Sequence, residues 1–339
     1  MALLMLVPGP VRHVLTRIAL RRLVRRLTPG LLQTFADCDA AVLGGGNLLA
    51  DADLNFPIKI ASVLDTATKA RSSGVATAIF AVGVSHNWSA EGISLFRHAL
   101  SLPSLTSISV RDELSRRALL AQAPNLSEND LKLVHDPGLL TCRHFSSAPR
   151  GGDAPIGLCI TDPLALRYHG GRANVRELRD WFQALLAILA RSGRDVLLFT
   201  NGSPEDRGYL ARNAPLWQAT DPARISLAEP ANVPADLVRT IAGCSLVIAH
   251  RMHACIAAHS LAIPTIGLRW DPKLDAFFET ASRGEYVYMA GSTPPEIIAR
   301  SAEKTLAEGV DLVKHAILID EAAEHVAVLA RELRKVASR

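Results

Sequence analysis

At 339 residues the chain exceeds what one core usually serves, at about 150 residues per domain, so two domains are expected. Hydrophobic residues make up 49% and charged residues 21%, an ordinary globular composition, and a net charge of +4 is too small for a nucleic-acid-binding surface. The cysteines Cys38, Cys142, Cys159, Cys244 and Cys255 are scattered without a CxxC pair. That argues against a zinc site and a disulfide framework, and it fits a reducing cytoplasm.

The opening "MALLMLVPGP" is apolar but short, and no basic region precedes it, so a cleaved signal peptide is not expected. The next stretch, "VRHVLTRIALRRLVRRLTPG", carries six arginines and no acid. One reading is a basic amphipathic segment resting on anionic lipid through residues 11–26. However, the apolar stripe begun by Val11, Val14, Leu15 and Ile18 is interrupted on the same face by Arg22 and Arg25, which favours a plain exposed helix. No run reaches the ~18 apolar residues that a bilayer span requires.

Short apolar strands then alternate with amphipathic helices. Strands are expected at 40–44, 75–83, 107–110 and 132–136, with helices near 57–72, 90–100 and 112–121. "RHFSSAPRGGDAP", residues 143–155, breaks the rhythm and reads as a linker. The alternation restarts with strands at 156–161, 195–200, 245–250 and 264–269 and helices at 174–191, 204–213, 234–242 and 252–261. Continuous apolar strands separated by helices are parallel strands covered on both faces. The expected architecture is α/β, with two Rossmann-like doubly wound domains facing a cleft. Residues 1–145 form the first domain and 155–310 the second, and a helix at 311–339 packs back.

"LGGGNLL", residues 43–49, lies between a strand and a helix. Gly45 and Gly46 let the backbone turn sharply and present N–H groups to an anion, and Asn47 favours a ligand-facing loop over a turn that only serves packing. The spacing is neither GxGxxG nor a P-loop. "SISVRDELS" places Arg111 and Asp112 at a strand's carboxyl end, the edge where open α/β sheets bind ligands. Asp112 has a structural use as a helix cap. Arg111 reads as a bidentate clamp for phosphate or carboxylate, or else as one half of a salt bridge. In "VHDPGLL", Pro137 and Gly138 explain a turn, and Asp136 is a candidate for holding a sugar hydroxyl or orienting another side chain.

"RMHACIAAHSLAIPTIGLRWD", residues 251–271, is the most informative stretch. Arg251 ends a strand, and Met252 and His253 open a helix of small residues. Backbone N–H groups, the positive helix end and a guanidinium converge there, and His253 can move a proton near neutral pH. Those features call for an anionic substrate that undergoes proton transfer. Lys273 and Arg269 add positive charge to the same edge. The His250 and His253 spacing has no carboxylate or thiolate partner, so a metal site is rejected.

"GGGNL", "SVRDELS", "HDPGLL" and "RMHACIAAHSLAIPTIGLRWDPK", in that order, resemble the polysaccharide pyruvyltransferases over roughly residues 38 to 280. The resemblance implies the fold of the two-Rossmann-domain glycosyltransferases (GT-B-like). It also implies transfer of the carboxyvinyl unit of phosphoenolpyruvate onto two sugar hydroxyls, with a cyclic ketal formed and phosphate released. Arg111 and Arg251 would grip the donor's carboxylate and phosphate, and His253 would transfer the proton. No metal or redox cofactor is implied. The acceptor would be a sugar, lipid-linked if the arginine-rich start touches a membrane, and the site of action the cytoplasm or the inner face of the membrane. One departure stands out, since the strand and Asn-x-Gly-Asp-type loop that open the family pattern are replaced by the arginine-rich segment.

Two other readings compete with this one. A nucleotide-sugar glycosyltransferase or epimerase of the same architecture commonly carries an acid on the carboxy-domain helix, and none lies between Arg251 and Trp270. A non-catalytic scaffold derived from the fold would have no use for Arg111, Arg251 and His253 together.

Overall fold

The computed structural model describes residues 9–145, 154–163, 175–270 and 272–337, with backbone alone at 9–13 and 337. Most of the linker expected at 143–155, the side chain of Val11, and Asp271 lie outside the described residues. The chain forms two compact units, Met1–Pro137 with Ala322–Arg339, and Gly138–Glu321.

In the first unit the described elements are α1 (Gly9–Ala36), β1 (Ala40–Gly44), α2 (Asn55–Lys69), β2 (Ala76–Val82), α3 (Ala90–Leu100), β3 (Leu105–Val110), α4 (Glu113–Gln122) and β4 (Leu131–Leu133). The four strands are parallel in the order β1-β2-β3-β4. One face of the sheet, with Ile79, Val82, Ile108 and Val110, packs against Leu64, Phe96 and Leu119 of the helices. Burying each such side chain stabilises the fold by about 1.5–3 kcal/mol. Ser89 caps α3 by accepting from Gly92 N–H, and Asp112 caps α4 by accepting from Ser115 N–H at 2.6 Å. Among the described residues no strand precedes α1. The helix instead lies on α2, with Leu20 against Ile58 and Phe35 against Ala67. Among the described residues β1 is an edge strand, and its Val42 is 48% exposed.

The second unit begins with the short helix α5 (Thr141–His144), then β5 (Ile156–Cys159), α6 (Val175–Arg191), β6 (Val196–Phe199), α7 (Pro204–Gln218) and β7 (Ile225–Leu227). It continues with α8 (Pro234–Ala242), β8 (Leu246–Ala249), α9 (Met252–Ser260), β9 (Thr265–Arg269), α10 (Pro272–Thr280), β10 (Val287–Met289) and α11 (Pro295–Glu308). Its six parallel strands run β10-β9-β8-β5-β6-β7, so the winding direction reverses between β5 and β8. β5 and β8 are continuous apolar runs, buried throughout. The division between the units falls after Pro137, earlier than a 143–155 linker would place it. The reason is α5: Ser260 Oγ donates to Leu139 O and accepts from Cys142 N–H, fastening this segment to α9.

The last helix, α12 (Leu312–Ala337), contributes to both units. Asp320 pairs with Arg143 at 2.7 Å in the second. In the first, Val326 and Leu329 cover Phe80, Ala81 and Val134 on the sheet face opposite α2–α4. The doubly wound pattern is thus complete in the second unit, whereas the first covers its other face with a terminal helix.

Candidate functional site

The reversal between β5 and β8 creates a crevice at their carboxyl ends, the place where open α/β sheets bind ligands. Arg251 leaves β8 in an extended conformation (ψ 110°) and begins α9. Its guanidinium donates from Nε at 2.9 Å and Nη2 at 2.7 Å to one oxygen, Oδ2, of Asp206. Asp206 is fully buried, while the Arg251 side chain remains 23% exposed. The other Asp206 oxygen accepts from Asp162 N–H at 2.8 Å, which ties it to the end of β5. Asp206 itself is set in place because Ser203 caps α7 through Asp206 N–H.

Met252 and His253 form the first turn of α9, where backbone amides have no acceptor within the helix. The carbonyl of Arg251 takes Ala254 N–H at 2.9 Å, so the turn is closed. His253 is exposed on it. Trp270, beyond β9, donates from Nε1 to His250 O at 2.6 Å and locks the strand end that carries Arg251. The His250 ring turns the other way, edge-on to Phe182. Burial, and then the neighbouring Arg251 charge, lower its pKa to about 3, which keeps it neutral. Arg269 pairs with Asp275 at 2.8 Å, so its charge is matched locally, and Lys273 is half-buried in the first turn of α10. The expectation that Arg269 strengthens the edge is corrected accordingly.

More polar groups gather at the ends of β5 and β6. Thr161 Oγ1, Asn201 Oδ1 and Tyr209 OH are buried with no hydrogen-bond partner among the described residues. Burial, followed by the Asp162 carboxylate, pushes the Tyr209 hydroxyl up to about 12, so it keeps its proton as a donor. Buried polar atoms without partners are uncommon, and Tyr209 lies about one helical turn after Asp206 in α7. Among the described residues no three His, Cys, Asp or Glu side chains are grouped to hold a metal.

The first unit has its own polar edge, which the four strand ends bring together. Gly45 and Gly46 take positive φ, 77° and 62°, a conformation that glycine adopts without strain. Gly45 N–H donates to Phe80 O, and Gly46 O accepts from Gly83 N–H at 2.7 Å. Gly45 N–H is therefore held by the next strand rather than presented to an anion, which corrects its assignment as an anion donor. Asn47 donates to Ser85 Oγ at 2.8 Å. A bulge at Phe80–Ala81, with Ala81 at φ 53°, re-aims the end of β2 towards this loop.

Arg111 is 7% exposed and lies 3.5 Å from Oδ2 of both Asp112 and Asp136. One guanidinium thus faces two carboxylates, which opposes capture of a further anion. The reading of Arg111 as a donor clamp is replaced by that of a buried cation holding strand ends together, and Asp136 is its partner. Gly83 leaves the room this needs, because a Cβ there would sit 2.9 Å from Arg111 Nη2 and 3.0 Å from Asn47 Oδ1.

Asp206, Gly83 and Trp270 carry no local sequence signal of these roles. The signal available for Asp206 was "SPED", a capping pattern that reads as helix punctuation and does not reveal a partner 45 residues away.

Two parallel-sheet α/β units, the second with its ligand edge at a winding reversal, define a GT-B-like fold, and similar solved structures agree. UDP-GlcNAc 2-epimerase from Methanocaldococcus jannaschii, in complex with UDP-GlcNAc and UDP, matches with a TM-score of 0.54 at 14% identity, over 85% of this chain and 74% of that one. A putative UDP-N-acetylglucosamine 2-epimerase from Listeria monocytogenes matches with 0.57 at 13%, over 92% and 78%. A glycosyltransferase from Rickettsia africae ESF-5 matches with 0.55 at 10%, over 92% and 81%. At such identities the likeness is one of fold. No curated protein matches the chain. The family model described as polysaccharide pyruvyl transferase matches residues 8–272, and the chain belongs to that family. Among the described residues no helix is long and apolar enough to cross a membrane.

Proposed function

We propose that the protein transfers pyruvate from phosphoenolpyruvate to two hydroxyls of a sugar in a polysaccharide or glycolipid precursor. The observation that carries this is Arg251, oriented by buried Asp206 at the β5/β8 reversal and followed at once by the amides of Met252 and His253. Family membership supports reading the anionic substrate as a pyruvyl donor.

In this reading the guanidinium edge not held by Asp206 meets the donor's phosphate or carboxylate, and the α9 amino terminus supports the charge. Lys273 adds a cation from α10. His253 delivers a proton to the methylene carbon of phosphoenolpyruvate, leaving an oxocarbenium-like centre. A sugar hydroxyl attacks that carbon and gives up its proton. The carbon–oxygen bond to phosphate breaks, and the second hydroxyl closes the ketal. One hydroxyl proton replaces the one delivered to carbon, and the other leaves with phosphate. Charge stabilisation by Arg251 and backbone N–H groups serves the departing phosphate. The first unit, with Asp136, Asn47 and the Gly45–Gly46 turn on its polar edge, is assigned to the acceptor sugar.

The test is calorimetric titration with phosphoenolpyruvate, with a UDP-sugar in parallel, on the parent chain and on Arg251→Lys and Arg251→Ala. Binding in the parent that weakens in Arg251→Lys and vanishes in Arg251→Ala supports the reading, provided both variants unfold cooperatively. UDP-sugar binding with none to phosphoenolpyruvate assigns the site to glycosyl transfer or epimerisation.

A further inference from the structure

The first helix has two distinct faces. Its inner face, with Leu20, Val24, Leu31 and Phe35, packs on α2 and its surroundings. At 100° per residue, Val14, Leu15, Ile18, Arg22, Arg25 and Arg26 fall on the opposite side within a sector of about 120°. All six are exposed, with Val14 at 56% and Ile18 at 44%. Leu23, beyond one edge of this sector, is also exposed. No acidic residue occurs in the helix. Arg17 and Arg21 pair with Glu91, at 3.1 and 3.7 Å, whereas Arg22, Arg25 and Arg26 make no ion pair with any described residue. The face is therefore apolar in its first half and cationic in its second, and no described element of the unit covers it.

We propose that this face of α1 docks the protein on an anionic lipid bilayer. A helix lying in the interface needs both features, apolar side chains for the headgroup–acyl boundary and arginines for the phosphates beside it. Each feature excludes another partner. A second copy of the chain meeting this face in parallel would stack arginines on arginines. In antiparallel it would lay them on Val14, Leu15 and Ile18, and neither arrangement supplies a counter-charge. Nucleic acid would match the arginines but not the aliphatic half, and the face offers no aromatic ring for base stacking. The inference does not depend on which group the enzyme transfers.

Co-sedimentation of the full chain with phosphatidylcholine vesicles, with and without phosphatidylglycerol, tests it at low and high salt. The parent should partition onto the anionic vesicles at low salt, leave them as salt rises, and stay off phosphatidylcholine alone. Each arginine at an anionic surface strengthens partitioning about fivefold, so the Arg22→Gln, Arg25→Gln, Arg26→Gln triple variant should bind on the order of a hundredfold more weakly. Leu15→Ser with Ile18→Ser should weaken binding at every salt concentration. These side chains are exposed, so the thermal midpoints should match the parent's. No partitioning onto anionic vesicles at low salt overturns the proposal, as does undiminished partitioning of the triple variant. A dimer in solution that the same triple variant dissociates would assign the face to self-association and overturn it too.

Discussion

Arg251 gives two hydrogen bonds to one oxygen of Asp206, and the two partners differ in their access to water: the carboxylate is fully buried, the guanidinium 23% exposed. Removing either should therefore cost unequal amounts. Arg251→Ala strands a carboxylate in the interior and should destabilise the chain by about 3–5 kcal/mol. Asp206→Ala leaves an arginine that can turn to solvent, with a loss of about 1–3 kcal/mol. Urea unfolding of both variants measures the difference, and equal losses would contradict this account of the pair.

The same pair has a kinetic consequence. Asp206→Asn removes the charge that orients the guanidinium and should raise the KM for phosphoenolpyruvate by about tenfold, one charge-assisted contact's worth. His253→Ala should behave oppositely, with donor affinity kept in calorimetry and kcat lowered by about 10²–10⁴, as expected for a lost proton-transfer group. A His253→Ala enzyme that turns over normally would remove His253 from the mechanism.

Two buried histidines should make stability depend on pH. Burial lowers the pKa of His250 to about 3 and that of His259 to about 4, from an ordinary 6.5. Below pH 6.5 the unfolded chain takes up protons at these rings while the folded chain does not, so acid favours unfolding. The loss at about pH 5 is roughly 2 kcal/mol per histidine relative to neutral pH. His250→Leu and His259→Leu should each flatten the profile, which denaturant titrations across that range would show. An unchanged slope in both variants would contradict the buried neutral rings.

Gly83→Ala tests the polar edge of the first unit. The added Cβ meets Arg111 Nη2 at 2.9 Å and Asn47 Oδ1 at 3.0 Å, so both side chains must move. Arg111 is hemmed in by burial and by two carboxylates, so the expected loss is about 1–3 kcal/mol, as for other overpacked sites. A thermal midpoint equal to the parent's would show that the edge relaxes freely.

Much of this architecture could be read locally. The helices at 90–100 and 234–242 and the strand at 40–44 match their expected limits, because each is a short apolar run or stripe between turn residues. The strands Val287–Met289 and Ile225–Leu227 were not anticipated. Three residues are too few for a period to show, and pairing along a preformed sheet edge is what makes them strands. The helix Pro295–Glu308 falls outside the expected elements although it begins with a proline suited to a first turn and buries Ile298 and Ala302.

The site divides in the same way. Arg251 directly before Met252 and His253, at a strand end and a helix start, is a property of consecutive residues, so the sequence alone determined this strand-to-helix junction and the family pattern around it. It could not determine which cations remain available, because that depends on carboxylates distant in the chain. Asp136 lies 25 residues from Arg111, and Asp206 lies 45 from Arg251. Only the tertiary structure decided that Arg111 is enclosed by acids while Arg251 is oriented by one and still reaches solvent. The physical reason is that hydrophobic periodicity is written along the chain, whereas charge matching depends on which strand ends the sheet brings side by side.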